Sequence, residues 1–317
     1  MTKIESEDIH IIARHSNWPT ESIEKTLAEK VYSNADSWKK FLKFFLLTLG
    51  LGFTVAGVIF FFAYNWAHLN KFAKIGIIQG LITIATLLAM IPKFSLTVRN
   101  ILLTAASLLI GVLFAVFGQI YQTGANAYDF FLAWTICITI WVLVSNFSPL
   151  WMLYLILINT VIYLYSEQVA SLKTIELYTY LTSLNALFLL SALFVGLAKK
   201  NIPLWFTNTI ALALVCFATI GMVVGIFEGR NLYFIILSFI TAILYTMGTM
   251  YGIQNKRAFY LSIIPFSIII IISAAFIKIF DNNWGFLLTC VFIVASVSVL
   301  ITRLIDIQKK WIHEAGN

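Results

Sequence analysis

Ten separate stretches of mostly apolar residues between Phe41 and Thr302 constrain this chain more than any other feature of its sequence. Each is close to the roughly twenty residues that an α-helix needs to cross the hydrocarbon core of a bilayer. A soluble helix of that length would alternate apolar and polar residues with a period of about 3.6. The stretch from Ile263 to Ile277 is instead apolar on every face, interrupted only by Pro265 and the hydroxyls of Ser267 and Ser273. Because such segments are stable only in apolar surroundings, the sequence predicts an all-α, polytopic integral membrane protein.

Composition supports this class and argues against a soluble one. The 317 residues are 61% hydrophobic and only 11% charged, whereas a soluble domain carries about 25% charged residues. The net charge of +7 would suit a nucleic-acid-binding protein, but most basic residues lie in short connections and at the termini. We therefore expect the lipid bilayer as a partner, and no nucleic acid.

The apolar stretches predict a transmembrane bundle over residues 41–304. The expected helices cover about 41–64, 72–91, 101–121, 130–144, 150–165, 178–197, 204–227, 232–251, 258–280 and 285–302. Residues 1–40 predict a small cytoplasmic pair of helices, and residues 305–317 a cytoplasmic tail. Only residues 145–149 join the fourth and fifth helices, so these two should form a tight antiparallel hairpin.

The distribution of Lys and Arg predicts the orientation of the bundle. If the N-terminus is cytoplasmic, the inner segments hold sixteen of the 21 basic residues and the outer segments hold five. This asymmetry follows the positive-inside rule, and an even number of helices then places both termini in the cytoplasm.

The positions of the charged residues argue against some functions and indicate no particular reaction. All fourteen Asp and Glu residues lie in the N-terminal region, in loops or at the ends of the expected helices. Proton-coupled carriers usually need an ionisable group inside the membrane, so proton-driven transport is disfavoured. Motifs of familiar soluble enzymes are also absent, and Cys137, Cys216 and Cys290 lie singly. We expect no metal site and no cofactor. Enzyme activity is left undecided, although these observations argue against it.

Two polar segments on the expected outer side form the candidate ligand site. One closes the first helix, and the other joins the third and fourth. In the third helix, Ser107, Gly111, Ala115 and Gln119 recur every four residues, a small-residue stripe that favours contact with another helix. We therefore expect an outward-facing polar pocket; its candidate ligand-binding residues are Asn65, His68, Gln119, Tyr121, Gln122, Asn126 and Asp129.

A second interpretation of the same polar residues stays open. Amides in and near the helices, which include Asn159 and Asn185, would then cap helix ends and hydrogen-bond across helices without binding a ligand. GxxxG-type spacings at three places, Gly76/Gly80, Gly221/Gly225/Gly229 and Gly248/Gly252, predict close helix packing within one chain more than dimerisation.

The outer segments also carry a family resemblance. The Gly-rich first helix ends in Phe62-Ala63-Tyr64-Asn65-Trp66, and the next begins between Lys71 and Lys74. With the segments Gly118–Tyr121 and Asp129–Trp134, this pattern resembles the bacterial predicted membrane proteins of domain of unknown function family 2157. The resemblance covers about the first 145 residues. It implies a multi-pass protein of the bacterial inner (plasma) membrane, and supplies no activity and no site residues.

Three functions are consistent with the sequence. The leading hypothesis is transport, or binding of a small molecule or lipid, through the outward-facing pocket. The alternative is a non-catalytic scaffold or regulatory subunit whose N-terminal helices recruit a cytoplasmic protein partner. A third is an intramembrane enzyme acting on lipid-linked substrates, with Asp129 or His68 as the acid–base group.

Overall fold

The computed structural model describes residues 19, 22, 35–122, 124–199, 202–229, 231–280 and 282–316. Within these ranges the chain is helical without strands, and ten helices are long and apolar enough to cross a membrane. The first five are α1 (Ala35–Asn65), α2 (Lys71–Met90), α3 (Leu96–Tyr121), α4 (Ala127–Ser145) and α5 (Ser148–Tyr165). The others are α6 (Thr174–Lys199), α7 (Leu204–Glu228), α8 (Leu232–Gln254), α9 (Ala258–Ile279) and α10 (Asn283–Gly316).

The predicted all-α polytopic fold is confirmed by these ten helices. The predicted helix pair in residues 1–40 lies outside the described residues, except for Pro19, Ser22 and Ala35–Lys40. The outermost helices are longer than expected, since α1 begins at Ala35 and α10 continues to Gly316. With 34 residues, α10 exceeds the roughly twenty that span a bilayer. Its C-terminal turns therefore extend through the region predicted as a tail.

Asparagines mark several helix ends, where backbone groups lack partners within the helix. Asn70 precedes α2, and its side chain accepts the N–H of Ala73 at 2.8 Å. Asn231 precedes α8 and accepts the N–H of Phe234 at the same distance. After α4, Asn146 has a φ of 46°, a left-handed conformation that Asn tolerates better than most residues. The turn brings α5 back along α4, which confirms the predicted hairpin.

The helices form two compact units; the first ends at Ile120 and the second begins at Tyr121. In the first unit, α1, α2 and α3 pack around the buried side chains of Phe62, Ile78 and Val116. Lys74 is also buried, and its ammonium lies 3.7 Å from the centre of the Trp66 ring. The aromatic face therefore stabilises a cation that has little contact with solvent.

The second unit is centred on four helices, α6 to α9, which pack on one another. Glycines allow this packing: a Cβ at Gly221 of α7 would lie 2.6 Å from Leu237 Cδ2 of α8 and 2.9 Å from Tyr178 Cβ of α6. Gly225, Gly248 and Gly252 meet side chains of neighbouring helices in the same way. The predicted within-chain role of the GxxxG spacings is confirmed at these four glycines, whereas Gly76, Gly80 and Gly229 have no atom within 4 Å of such a Cβ.

Candidate ligand-binding sites

Three of the predicted site residues belong to the first unit. Asn65 ends α1, and its side-chain amide donates to the carbonyl four residues earlier at 3.0 Å. His68 is exposed in the following turn, where its backbone N–H donates to the carbonyl of Asn65 at 3.0 Å. Gln119 is exposed in the last turn of α3, although Ser107 and Gly111 of the same stripe are buried. The stripe therefore enters the core of this unit only along its first half.

The other four predicted residues belong to the second unit. Tyr121 and Gln122 are exposed, and Gln122 has a φ of 43°. Asn126 is the N-cap of α4, and its backbone N–H donates to Asp129 Oδ2 at 3.2 Å. The pair is arranged as a capping box, in which the Asp129 carboxylate accepts the N–H of the N-cap residue. The interpretation of Asn126 as a helix cap is thus confirmed.

Gln168 contributes to the same end of α4, a role that the sequence did not reveal. It lies in the five-residue π-helical turn Ser166–Ala170 that follows α5. Its side-chain oxygen accepts the backbone N–H of Tyr128 at 3.0 Å. The rings of Tyr128 and Tyr165 pack edge to face beside it, 5.4 Å apart. The first turn of α4 is therefore held by α5 as well as by its own cap.

The seven predicted residues are divided between the two units, so their grouping into one outer pocket stays a prediction. Asn159 and Asn185 support the second interpretation directly. Asn185 Nδ2 donates to Asn159 Oδ1 at 2.7 Å, and the reverse contact is 3.4 Å. Each amide also donates to the carbonyl four residues earlier in its own helix, at 2.8 Å. These two residues therefore join α5 to α6, as the cross-helix interpretation predicted.

A network of three hydroxyls joins α7, α8 and α9 inside the second unit. Ser267 Oγ lies 2.5 Å from both Thr219 Oγ1 and the Tyr245 hydroxyl oxygen. Thr219 also donates to the carbonyl of Val215 at 2.6 Å, and all three hydroxyl residues are buried. The network satisfies these polar groups without a charged residue, as an apolar environment requires. In the sequence, only the interruption at Pro265 and Ser267 marked this region.

A groove of about 510 Å³ lies between α7 and α9, beside this network. Its residues include Cys216, Thr219 and Ile220 of α7 with Ser267 and Ile270 of α9. Ile220 and Ile270 are 42% and 48% exposed, so the groove opens along the outside of the helix pair. Its volume falls within the roughly 300–1,000 Å³ of typical ligand pockets.

Lys278 of α9 also contacts α7, near the C-terminal end of that helix. Its ammonium donates to the carbonyls of Ile226 and Phe227, near the C-terminus of α7, with 3.3 Å to Phe227 O. A cation at this end also interacts favourably with the helix dipole. The α7–α9 spacing that creates the groove is therefore held by Lys278 and by the Thr219–Ser267 hydrogen bond.

The described residues contain no group of three His, Cys, Asp or Glu side chains arranged to hold a metal ion. Cys137, Cys216 and Cys290 are free thiols exposed on their helices. Of these three, Cys216 lies on the groove and offers a place for a chemical label.

The ten apolar helices of the described residues define this chain as a multi-pass α-helical membrane protein. Residues 19–151 match the family described as "Predicted membrane protein (DUF2157)", which confirms the resemblance found in the sequence. The matched region ends within α5, so the α7–α9 groove lies beyond it. A search of curated proteins and a search of solved structures returned no match.

Proposed function

We propose that this protein binds a membrane lipid in the groove between α7 and α9, with an acyl chain as the part that enters. One observation carries the proposal: the groove is lined almost entirely by hydrocarbon, and its hydroxyls are already paired with one another. A polar ligand would gain no hydrogen bond there and would lose those it makes with water. An acyl chain needs no such partner.

The position of the groove also favours a lipid. Both helices that form it are apolar enough to cross the bilayer, and the exposed Ile220 and Ile270 line its opening. Lipid tails therefore surround the entrance, and a ligand can enter sideways without passing through water. No Lys, Arg, Asp or Glu is among the residues that line this groove.

Photo-crosslinking tests the groove. The purified protein would be reconstituted with a phosphatidylcholine that carries a diazirine in one acyl chain, and the adducts mapped by mass spectrometry. We expect saturable labelling of the groove residues on α7 and α9, competed by unlabelled lipid. Ile220→Trp fills the groove and should abolish that labelling. The matched control is Ile243→Trp, at an equally exposed position of α8 outside the groove (42%). Uniform, non-saturable labelling of all lipid-facing helices would contradict the proposal.

A second candidate is transport or small-molecule binding at the outer polar segments. It is supported by the exposed Gln122 and the partly buried Asp129, although Asp129 also serves the α4 cap. Two substitutions separate these roles. Asp129→Asn keeps an oxygen that can accept the Asn126 N–H but removes the charge, whereas Asp129→Ala removes both.

The readout is the thermal stabilisation of the detergent-purified protein by a panel of small organic cations. If Asp129 binds a ligand, a cation that stabilises the wild type should have no effect on Asp129→Asn, while the unliganded protein unfolds as before. If Asp129 is a cap alone, the wild type and Asp129→Asn should behave alike. Asp129→Ala should then lose about 1 kcal/mol of stability.

We also propose that the protein lies in a bacterial inner membrane with both termini in the cytoplasm. The basic asymmetry of sixteen residues against five supports this orientation, and the family resemblance supports the bacterial membrane. The alternative scaffold function depends on residues 1–40, which would recruit a cytoplasmic protein.

A further inference from the structure

A buried lysine in the first unit has an aromatic partner but no anionic one. Lys74 of α2 is 8% exposed, and its ammonium lies 3.7 Å from the centre of the Trp66 ring. The ring covers one side of a group that carries three N–H donors. Within the described residues the ammonium makes no hydrogen bond and no ion pair. Because a cation–π contact offsets only part of the cost of removing a charge from water, this position favours an anion.

The sequence around Lys74 offers no carboxylate to pair with it. Between Ser37 and Ile120, which covers α2, α3 and nearly all of α1, there is no Asp or Glu. Asp36 belongs to the first turn of α1, a helix of 31 residues. At 1.5 Å per residue, that length places Asp36 about 45 Å from the other end of α1, where the turn to α2 begins. The anion that suits Lys74 is therefore not supplied by this stretch of the chain.

The N-terminus of α2 adds further donors for an anion. Side chains on a helix lean toward its N-terminus, so the Lys74 side chain runs back toward this end of α2. Asn70 accepts the N–H of Ala73 with its side chain at 2.8 Å and the N–H of Lys74 with its carbonyl at 3.1 Å. The N–H groups of Lys71 and Phe72 lack acceptors within the helix, and both residues are exposed. An anion here would meet these N–H groups and the positive end of the helix dipole.

This end of α2 lies at the level of the lipid headgroups. The 20 residues of α2 extend over about 30 Å, which is the thickness of the hydrocarbon core. Its first turn therefore lies at the boundary between hydrocarbon and water. Tyr64 beside it is 87% exposed, and tyrosines are enriched at that boundary. The anionic group common to phospholipids at this depth is phosphate.

We propose that Lys74 and the N-terminus of α2 bind a phosphate group, carried by a phospholipid headgroup or present as the free ion. The Lys74 ammonium supplies the charge, and the N–H groups of Lys71 and Phe72 supply hydrogen bonds. The exposed Lys71 ammonium adds a second positive charge three residues away, on the same side of the helix. Because this site belongs to the first unit and the α7–α9 groove to the second, either can exist without the other.

Two lipids with the same acyl chains test the phosphate contact. The full-length protein in a neutral detergent would be titrated with dioctanoyl phosphatidylglycerol and with dioctanoylglycerol, which lacks the phosphate. Binding is measured by native mass spectrometry and by thermal unfolding. We expect the wild type to prefer the phospholipid by about tenfold beyond the partition of the two lipids into protein-free micelles. Any binding of the acyl chains in the α7–α9 groove is common to both lipids and cancels in this comparison.

Inorganic phosphate separates the two sources of the anion. If it stabilises the wild type by itself, the site takes the free ion. If only phosphatidylglycerol does so, the site takes the lipid headgroup. Both results require Lys74, so each supports the proposal only when the effect is lost in the variant without this charge.

Two matched variants decide the outcome. Lys74→Met keeps an unbranched side chain but removes the charge, and it should abolish both the lipid preference and any effect of phosphate. The unliganded variant should be at least as stable as the wild type, since a buried charge without an anionic partner is removed. Lys43→Met removes an exposed charge of α1 in the same unit and should change neither effect.

The proposal is overturned if neither phosphatidylglycerol nor inorganic phosphate acts on the wild type, or if Lys74→Met retains the effect. It is also overturned if Lys43→Met loses as much as Lys74→Met, which would show general charge attraction. A large loss of stability in unliganded Lys74→Met would reveal a partner within the protein and contradict the proposal in the same way.

Discussion

Small polar side chains inside the helices are satisfied largely within their own helix. The hydroxyls of Thr83, Thr160 and Ser183 each bond the carbonyl four residues earlier, at 2.8 to 2.9 Å. Such bonds cost little in an apolar medium because the carbonyl already lies within reach. Asn159 and Asn185 differ, since an amide has more donors and acceptors than its own helix can satisfy. The hydrogen bonds between Asn159 and Asn185 should therefore contribute more to stability than the hydroxyl bonds within single helices.

We predict that Asn185→Ala destabilises the protein by about 0.5–2 kcal/mol, because it leaves the Asn159 amide without its cross-helix partner. The measurement is reversible unfolding of the purified protein in mixed micelles with increasing SDS. The double variant Asn159→Ala/Asn185→Ala should lose less than the two single losses added together. Ser183→Ala is the control for a hydroxyl bonded only to its own helix, and it should change stability by less than about 0.5 kcal/mol. Strictly additive losses at the two asparagines would contradict a direct coupling.

Among the helices of the second unit, close packing of one helix on another depends on particular glycines. Gly221 allows α7 to lie against Tyr178 of α6 and Leu237 of α8. Within α9, Pro265 lacks the N–H that would bond the carbonyl of Leu261. Ser267, two residues later, bonds to α7 and α8. The hydroxyl network thus lies where α9 is weakest in its own main-chain hydrogen bonds.

We predict that Gly221→Ala destabilises the second unit by about 1–3 kcal/mol, because overpacking forces helices apart. The new Cβ would lie 2.9 Å from Tyr178 Cβ, an atom that cannot move without its backbone. Gly76→Ala is the control, since a Cβ at Gly76 has no atom within 4 Å. That substitution should be neutral or stabilising, because Ala favours helices over Gly by up to about 1 kcal/mol. Unfolding in SDS compares the two, and equal effects would refute the assigned packing role of Gly221.

For the complete bundle, an even number of crossings and the excess of Lys and Arg on one side predict that both termini are cytoplasmic. A reporter active only in the periplasm should be inactive when fused after Asn317, and active when inserted in the expected outer loop between α5 and α6. Insertion at residues 171–173 leaves both helices intact, since this short segment lies between the π-helical turn and α6. A cytoplasm-only reporter should give the opposite pattern. Periplasmic activity at the C-terminus would rule out ten crossings with a cytoplasmic N-terminus.

The N-terminal region separates ligand binding from the scaffold function. We expect deletion of residues 1–33, which lie before α1, to leave an inserted protein that still binds lipid at the α7–α9 groove. If those residues recruit a cytoplasmic protein, the partner should be lost in affinity purifications of the truncated chain after crosslinking in cells. Identical sets of partners for the full-length and truncated proteins would remove the scaffold hypothesis.

The sequence alone determined the class of this protein, and it located the ten long apolar helices of the part that the structure describes. Those properties are local, because the requirement for apolar surroundings acts on each segment of about twenty residues by itself. The Asn126–Asp129 cap was also accessible to sequence reasoning, since its partners lie within one helical turn.

Only the tertiary structure decided which helix faces lie against each other. Hydropathy cannot distinguish one face of a uniformly apolar helix from another, and lipid solvates every such face about equally well. The Thr219–Ser267 hydrogen bond joins residues 48 positions apart, and no local pattern relates them. The α7–α9 groove arises from such pairings, so it became visible only once the helices of the second unit were packed.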